Sequence, residues 1–199
     1  MPLHLYEGLS GRLSTTIRKA KRFTGTQRLS GLRRLAKPLR QAWPDTLCIL
    51  RGDSHVASPE VLEWIAEPAE RHSVTGLTSN AVLQERAREV VEQAQRAYTR
   101  WGRQVPRLHS TRSQAQTWSC SRRVVSKVEV SEPGVNTRCV VTKMEPARTQ
   151  VLSRHMYCAR GQAENESKDH KLSLKSDRTS CHRFAANPLR LLLHAAASG

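Results

Sequence analysis

An α/β fold is what this sequence predicts, and three stretches predict it. Residues 46–51 form a short, nearly continuous apolar run that stops at Gly52-Asp53-Ser54, the pattern of a strand buried on both faces. Leu83, Ala87, Val90, Ala94, Ala97 and Trp101 recur by fours and threes, the pattern of an amphipathic helix. Valine-rich runs over 122–130 and 137–142 flank Ser131-Glu132-Pro133-Gly134, the pattern of two strands joined by a turn.

In chain order, residues 3–6 alternate weakly and predict a short strand, and Gly8 to Gly11 turn the chain. Residues 14–22 are rich in cations: Arg18, Lys19, Lys21 and Arg22. Leu29, Leu32, Leu35, Ala36 and Leu39 then repeat at helical spacing, interleaved with Arg28, Arg33, Arg34, Lys37 and Arg40. This predicts a basic amphipathic helix, kinked or stopped near Pro38. Its cations read either as contacts to a DNA backbone or as a solvated face.

The strand over 46–51 follows, with Asp53 just past its carboxyl end, where open α/β sheets place ligands. Turns also favour Asp for their own reasons. Ser58-Pro59 starts a helix, with Ser as cap and Pro in the first position, and Pro68 is expected to close it. Residues 72–77 contain Val74-Thr75-Gly76-Leu77, which predict a strand. Asn80 caps the long helix and Gly102 stops it. The valine-rich pair reads as a hairpin with a loop longer than two residues, and the run with Arg107, His109, Arg112 and Trp118 is compatible with one more strand. Near the end, Asn187-Pro188 resembles a further cap before an apolar helix.

Composition narrows the partner. The 199 residues hold 33 Lys and Arg against 17 Asp and Glu, a formal charge of +16 that calls for an anion, nucleic acid first. No long apolar run can span or anchor in a membrane, and the N-terminus lacks the pattern of a signal peptide. Cys48, Cys120, Cys139, Cys158 and Cys181 are odd in number and scattered, which fits a reduced, cytoplasmic protein.

The chemistry concentrates in residues 157–171. Tyr157, Arg160, Glu164 and Lys171 are spaced by three, four and seven. On a helix these offsets gather them into one stripe about 60° wide. One carboxylate to hold a metal stands there beside two cations suited to phosphate oxygens. The plainer alternative is a solvated helix face with an Arg160–Glu164 pair.

The same four residues carry a resemblance. Tyr, two residues, Arg, three residues, Glu, six residues, Lys is similar to the signature of a large group of bacterial insertion-sequence transposases of the DDE class. Residues 49–55, Ile-Leu-Arg-Gly-Asp-Ser-His, resemble the strand end carrying that family's second Asp. The resemblance runs from about Pro2 to about His194. It implies a partial ribonuclease-H-like core with a β-rich insertion before the Glu-bearing helix. Residues 1–104 would be the N-terminal part of the core, 105–145 the insertion, and 146–199 the C-terminal core helices with the signature. Asp53 and Glu164, 111 positions apart, would be catalytic and hold Mg or Mn in a two-metal site. Arg160 and Lys171 would hold DNA phosphates, and Tyr157 would position DNA near the element's end. The reaction implied is hydrolysis at insertion-sequence ends followed by strand transfer, with DNA as partner, a homodimer as assembly and the cytoplasm as location.

The match has departures. The family's first Asp is expected on an earlier strand, yet only Glu7 and Asp45 are acidic ahead of Asp53. An end-binding region ahead of the core is expected and lacking, and Val56 stands where the family has an aromatic residue. The expectation is therefore a copy truncated at the N-terminus and shortened at the C-terminus, with an incomplete metal site and no activity of its own. Two alternatives stay open: a non-catalytic DNA-binding remnant, and a general basic nucleic-acid-binding protein.

Overall fold

The computed structural model describes residues 2–6, 13–17, 23–67, 69–145, 147–157 and 186–197, with Asn165, Lys168 and Leu172 as further single positions. They belong to two compact units, one of Met1–Gly31 with Ala159–Gly199 and one of Leu32–Cys158. Glu7 and Pro68 lie outside the described residues.

In the first unit, β1 (Pro2–Tyr6) and β2 (Leu13–Ile17) pair antiparallel, Pro2 opposite Ile17 and Tyr6 opposite Leu13. The strand at β1 was legible in the sequence, whereas β2 falls where only a cationic stretch was read. Helix α4 (Ala186–Ala197) lies against β2 and buries Leu191.

Helix α1 spans Gly25–Ala42. A reciprocal capping box starts it: Gln27 N–H donates to Thr24 Oγ1 and Thr24 N–H donates to Gln27 Oε1, both at 3.3 Å. Of the kink or stop expected near Pro38, the stop does not occur: the helix continues through Pro38 to Ala42. Pro38 is one turn from the end and exposed, so the Arg34 carbonyl it leaves without an intrahelical donor can turn to water.

The second unit is built on a five-stranded sheet in the order β3-β4-β7-β6-β5. Strand β3 (Cys48–Gly52) pairs parallel with β4 (Arg71–Leu77), joined by helix α2 (Pro59–Ala66). Ser58 and Pro59 open α2 as the sequence indicates, with Val61, Leu62 and Ile65 buried beneath it. Lys143 Nζ donates to the Ile65 and Ala66 carbonyls, placing a cation on the negative end of that helix.

Helix α3 (Ala81–Trp101) begins where Asn80 Oδ1 accepts from Leu83 N–H at 3.0 Å and ends at Gly102, whose φ of +61° is the left-handed cap. Its stripe Leu83, Ala87, Val90, Ala94 and Ala97 is buried, but Trp101 is 57% exposed, beneath the Arg100 guanidinium.

Strands β5 (Arg107–Ser113), β6 (Arg122–Ser131) and β7 (Gly134–Thr142) form an antiparallel meander that joins the same sheet through β7 and β4. Ser131 faces Gly134, so the β6–β7 loop is two residues long, shorter than the sequence suggested. Gly134, at φ +121°, supplies the turn conformation that closes it.

Alternation along β6 splits the core. Val124 packs with Leu62, Leu83, Trp118 and Val141, and Val128 and Val130 pack with Val90 and Ala94 of α3. On the opposite face, Val125 meets Val74, Val140 and Leu152. Trp118 is thus a buried anchor, 7% exposed, rather than part of a strand. Strand β3 departs from expectation too: Ile49 is 37% and Leu47 51% exposed, because β3 is the sheet's edge among the described residues.

Candidate active site

Strand β3 delivers Asp53 to its carboxyl end, as its sequence indicates. The turn after it folds tightly. A Cβ added at Gly52 would sit 2.7 Å from Val56 Cγ2, so only glycine admits the valine there. Val56 N–H donates to the Asp53 carbonyl at 3.1 Å, and His55 N–H donates to Asp53 Oδ1 at 3.0 Å, an Asx turn. The second carboxylate oxygen lies 3.4 Å from His55 Nδ1, and the Asp53 side chain remains 48% exposed. The turn continues through Ser58 N–H, which donates to the Val56 carbonyl at 2.8 Å, straight into α2.

Strand β4 runs beside β3 with Thr75 opposite Gly52, so the next residue, Gly76, stands beside Asp53. A Cβ at Gly76 would lie 2.7 Å from Tyr157 Oη, 3.0 Å from Ser54 N and 3.3 Å from the Asp53 carbonyl carbon. The missing side chain is therefore the space in which the Tyr157 hydroxyl reaches the Asp53–Ser54 turn. Neither Gly52 nor Gly76 stood out as a site residue from sequence. An isolated glycine within a strand pattern, which signals close approach of other chain, is the cue that finds both.

Tyr157 is the last residue of a π-helical segment, Val151–Tyr157. Such wide turns recur at functional positions. Leu152, fully buried, seats the segment on Val74, Val125 and Val140, with Met144, Ala147, Met156 and Tyr157 around it. The connection leading into it is held by one side chain. Arg123 donates through Nη1 to the carbonyls of Met144, Glu145 and Ala147 at 2.7–2.8 Å, through Nη2 to Thr149 Oγ1, and through Nε to Ser110 Oγ. A planar guanidinium satisfies this many acceptors where an ammonium cannot.

Of the residues singled out from sequence, Asp53 and Tyr157 are brought together. Arg160, Glu164 and Lys171 lie outside the described residues; of their neighbours, Asn165, Lys168 and Leu172 are helical and exposed. Asp45, in the turn before β3, stands at the other end of that strand, roughly 17 Å of strand away. A pair of divalent ions needs several carboxylate oxygens. Among the described residues no three of His, Cys, Asp and Glu come together to hold a metal, and Asp53 with His55 does not fit a two-metal site by itself. Among the same residues no helix is long and apolar enough to cross a membrane.

No curated protein matches this chain. The profile of one family, Transposase DDE domain group 1, matches residues 1–198. That match spans the mixed α/β fold, the Asp53 strand end and the Tyr157 segment together. DNA as partner and divalent metal use come with the family. The chain belongs to the DDE transposase domain family.

Proposed function

We propose that this chain works in DNA transposition, metal-dependent phosphodiester hydrolysis at insertion-sequence ends followed by strand transfer, as a copy that does not complete the reaction alone. The observation that most supports this reading is the Tyr157 hydroxyl beside the Asp53–Ser54 turn, in the space Gly76 leaves. The first residue of the Tyr-Arg-Glu-Lys signature and the strand-end Asp stand more than a hundred positions apart in sequence. A solvated helix face has no reason to meet that turn.

In this reading Asp53 and Glu164 hold Mg or Mn, Arg160 and Lys171 bind phosphate oxygens, and Tyr157 hydrogen-bonds DNA near the element's end. The bound ions would stabilise charge on the attacking and leaving oxygens. Asp53, exposed at a sheet end, offers oxygens to a cation once His55 gives way. Residues 105–145 act as an insertion between the two parts of the catalytic core. Among the described residues the acid that precedes Asp53, Asp45, is at the opposite end of β3, which supports the incomplete-site part of this reading.

The test is incubation of the purified chain with labelled duplex carrying an insertion-sequence end, in Mg or Mn. Binding without cleavage is the expected result. Mn-dependent cleavage abolished by Asp53→Ala would overturn the incomplete-copy part. Absence of any DNA binding would overturn the transposase reading.

A second reading, a non-catalytic DNA-binding remnant that interferes with an intact enzyme, gains from the Asp53–His55 pairing, which already occupies the carboxylate. Reduced transposition by an intact relative co-expressed with this chain, and unaffected by Asp53→Ala, would favour it.

A further inference from the structure

Helix α1 carries cations without carboxylates. Its 18 residues include Arg28, Arg33, Arg34, Lys37 and Arg40 and no Asp or Glu. Arg33 and Lys37 are four apart and Arg34 and Lys37 three apart, spacings at which like charges repel on a helix surface. All three are exposed, and among the described residues none makes a side-chain hydrogen bond or ion pair.

Helix α3 is the internal contrast. There Arg88 pairs with Glu85 at 3.2 Å and Arg96 with Glu92 at 3.1 Å, the pattern of a solvated, self-neutralised face. A helix that keeps unneutralised repulsion fits an anion from outside the chain.

The position of the charges is also defined. Arg40, one turn beyond Lys37, donates to the Thr46 carbonyl at 3.0 Å and reaches Cys48 Sγ at 3.7 Å, which ties the end of α1 to the start of β3. Cys48 is paired with Arg71 at the start of β4. Burial lowers the Arg71 pKa from its ordinary value; among the nearby charges Glu67 and Glu70 raise it, and Arg40 and Arg33 lower it further. Arg40 and Arg33 of α1 thus sit near the amino ends of β3 and β4, and Asp53 sits at the opposite end of β3.

We infer that Arg33, Arg34 and Lys37 form a second DNA-backbone contact, separate from the Asp53–Tyr157 site, binding phosphates of duplex DNA without reading sequence. This rests on DNA being the partner. Phosphate contacts of this kind position a duplex and release counterions, so they are visible in the salt dependence of binding.

The test compares the full chain with an Arg33→Gln, Arg34→Gln, Lys37→Gln variant on a duplex of arbitrary sequence, from 50 to 200 mM salt. Glutamine keeps helix propensity close to that of Arg and Lys. Each lost phosphate contact lowers the salt slope by about 0.9, so the variant should lose about 40-fold less affinity across that range than the parent chain. It should also bind more weakly at 50 mM, equally for unrelated duplexes. An α3 variant, Arg88→Gln, Arg96→Gln, Arg100→Gln, removes the same charge and should keep the parent slope. Equal losses in the two variants would reduce the effect to net charge and overturn the inference. An unchanged α1 variant would overturn it as well, and binding to phosphatidylserine vesicles in place of duplex would reassign the patch to a membrane surface. If the parent chain binds no duplex at all, the transposase reading fails instead. Should the triple variant not fold, Lys37→Gln alone should lower the slope by about 0.9.

Discussion

The Tyr157 hydroxyl occupies the space that a side chain at position 76 would fill: a Cβ on Gly76 would stand 2.7 Å from Tyr157 Oη. The same Cβ would be 3.0 Å from the Ser54 amide nitrogen, which is backbone and cannot swing aside as a ring can. Position 76 therefore sets how closely the π-helical segment approaches the Asp53 turn.

Gly76→Ala should destabilise the chain by about 1–3 kcal/mol, the usual cost of overpacking. Adding Tyr157→Phe removes the oxygen in closest conflict. The double variant should then lose less than the two single losses combined, by about 0.5–3 kcal/mol. Urea unfolding of the four chains of the cycle measures this, and strict additivity would mean that the two residues are not in contact.

Arg123→Lys should cost about 1.5–3 kcal/mol, since hydrogen bonds from a charged group are lost and a lysine cannot span the same acceptors. The loss should be local as well as global. Amide exchange should speed up over residues 144–157, and residues 83–97 of α3 should follow only the global change. Uniform acceleration across both segments would remove Arg123 as the holder of that connection.

Glu63 makes stability depend on pH. Its oxygens accept from Ser119 Oγ at 2.6 Å, Ser119 N–H at 3.2 Å and Arg122 Nη2 at 2.8 Å. The Ser119 side-chain bond, joined by the Ser119 backbone bond and Arg122, holds the Glu63 pKa below its ordinary value against the opposing effect of burial. A carboxylate lowered on folding stabilises the native state above its unfolded pKa, about 4.3, and that contribution disappears as pH falls through the folded pKa. The stability gap between the parent chain and Glu63→Gln should therefore be widest near pH 7 and narrow as pH falls below about 4.3. With Glu63 about a third exposed, solvent screening keeps the ionic part small. Parallel unfolding curves at pH 7 and pH 3.5 decide it.

Asn80→Ala should cost about 1 kcal/mol by removing the acceptor for Leu83 N–H. Gly102→Ala meets no atom within 4 Å, so its cost, about 1–2 kcal/mol, is purely that of holding alanine at φ +61°. A fall in melting temperature for both, with no change in DNA binding, is the expected outcome.

Local chemistry was legible in the residues. Ser58-Pro59 and Asn80 opened helices where their capping properties place them, Gly102 stopped one, and the apolar run into Gly52-Asp53 became β3 with Asp53 at its carboxyl end. Each depends on neighbours within four positions. Misjudged features depend on partners farther off. An apolar strand reads as doubly buried whether its sheet neighbour is present or not, so Ile49 and Leu47 gave no sign that β3 forms an edge. The two-residue β6–β7 loop is set by the cross-strand register of Ser131 and Gly134, which composition does not report. Pro38 announced a break that one exposed turn of helix could absorb.

Sequence alone pointed to an anionic partner, through a +16 excess, and to the DDE transposase family that the profile match over residues 1–198 supports. Only the tertiary structure decided that Gly76 is the gap through which Tyr157 meets the Asp53 turn, and that among the described residues Arg33, Arg34 and Lys37 of α1 pair with no acid while Arg88 and Arg96 of α3 do. Backbone propensity and net charge add up from individual residues and so survive in a string of letters. Contact between positions 76 and 157 exists only once the chain has closed the loop between them, and the lack of room there for a side chain at 76 is a property of that closure.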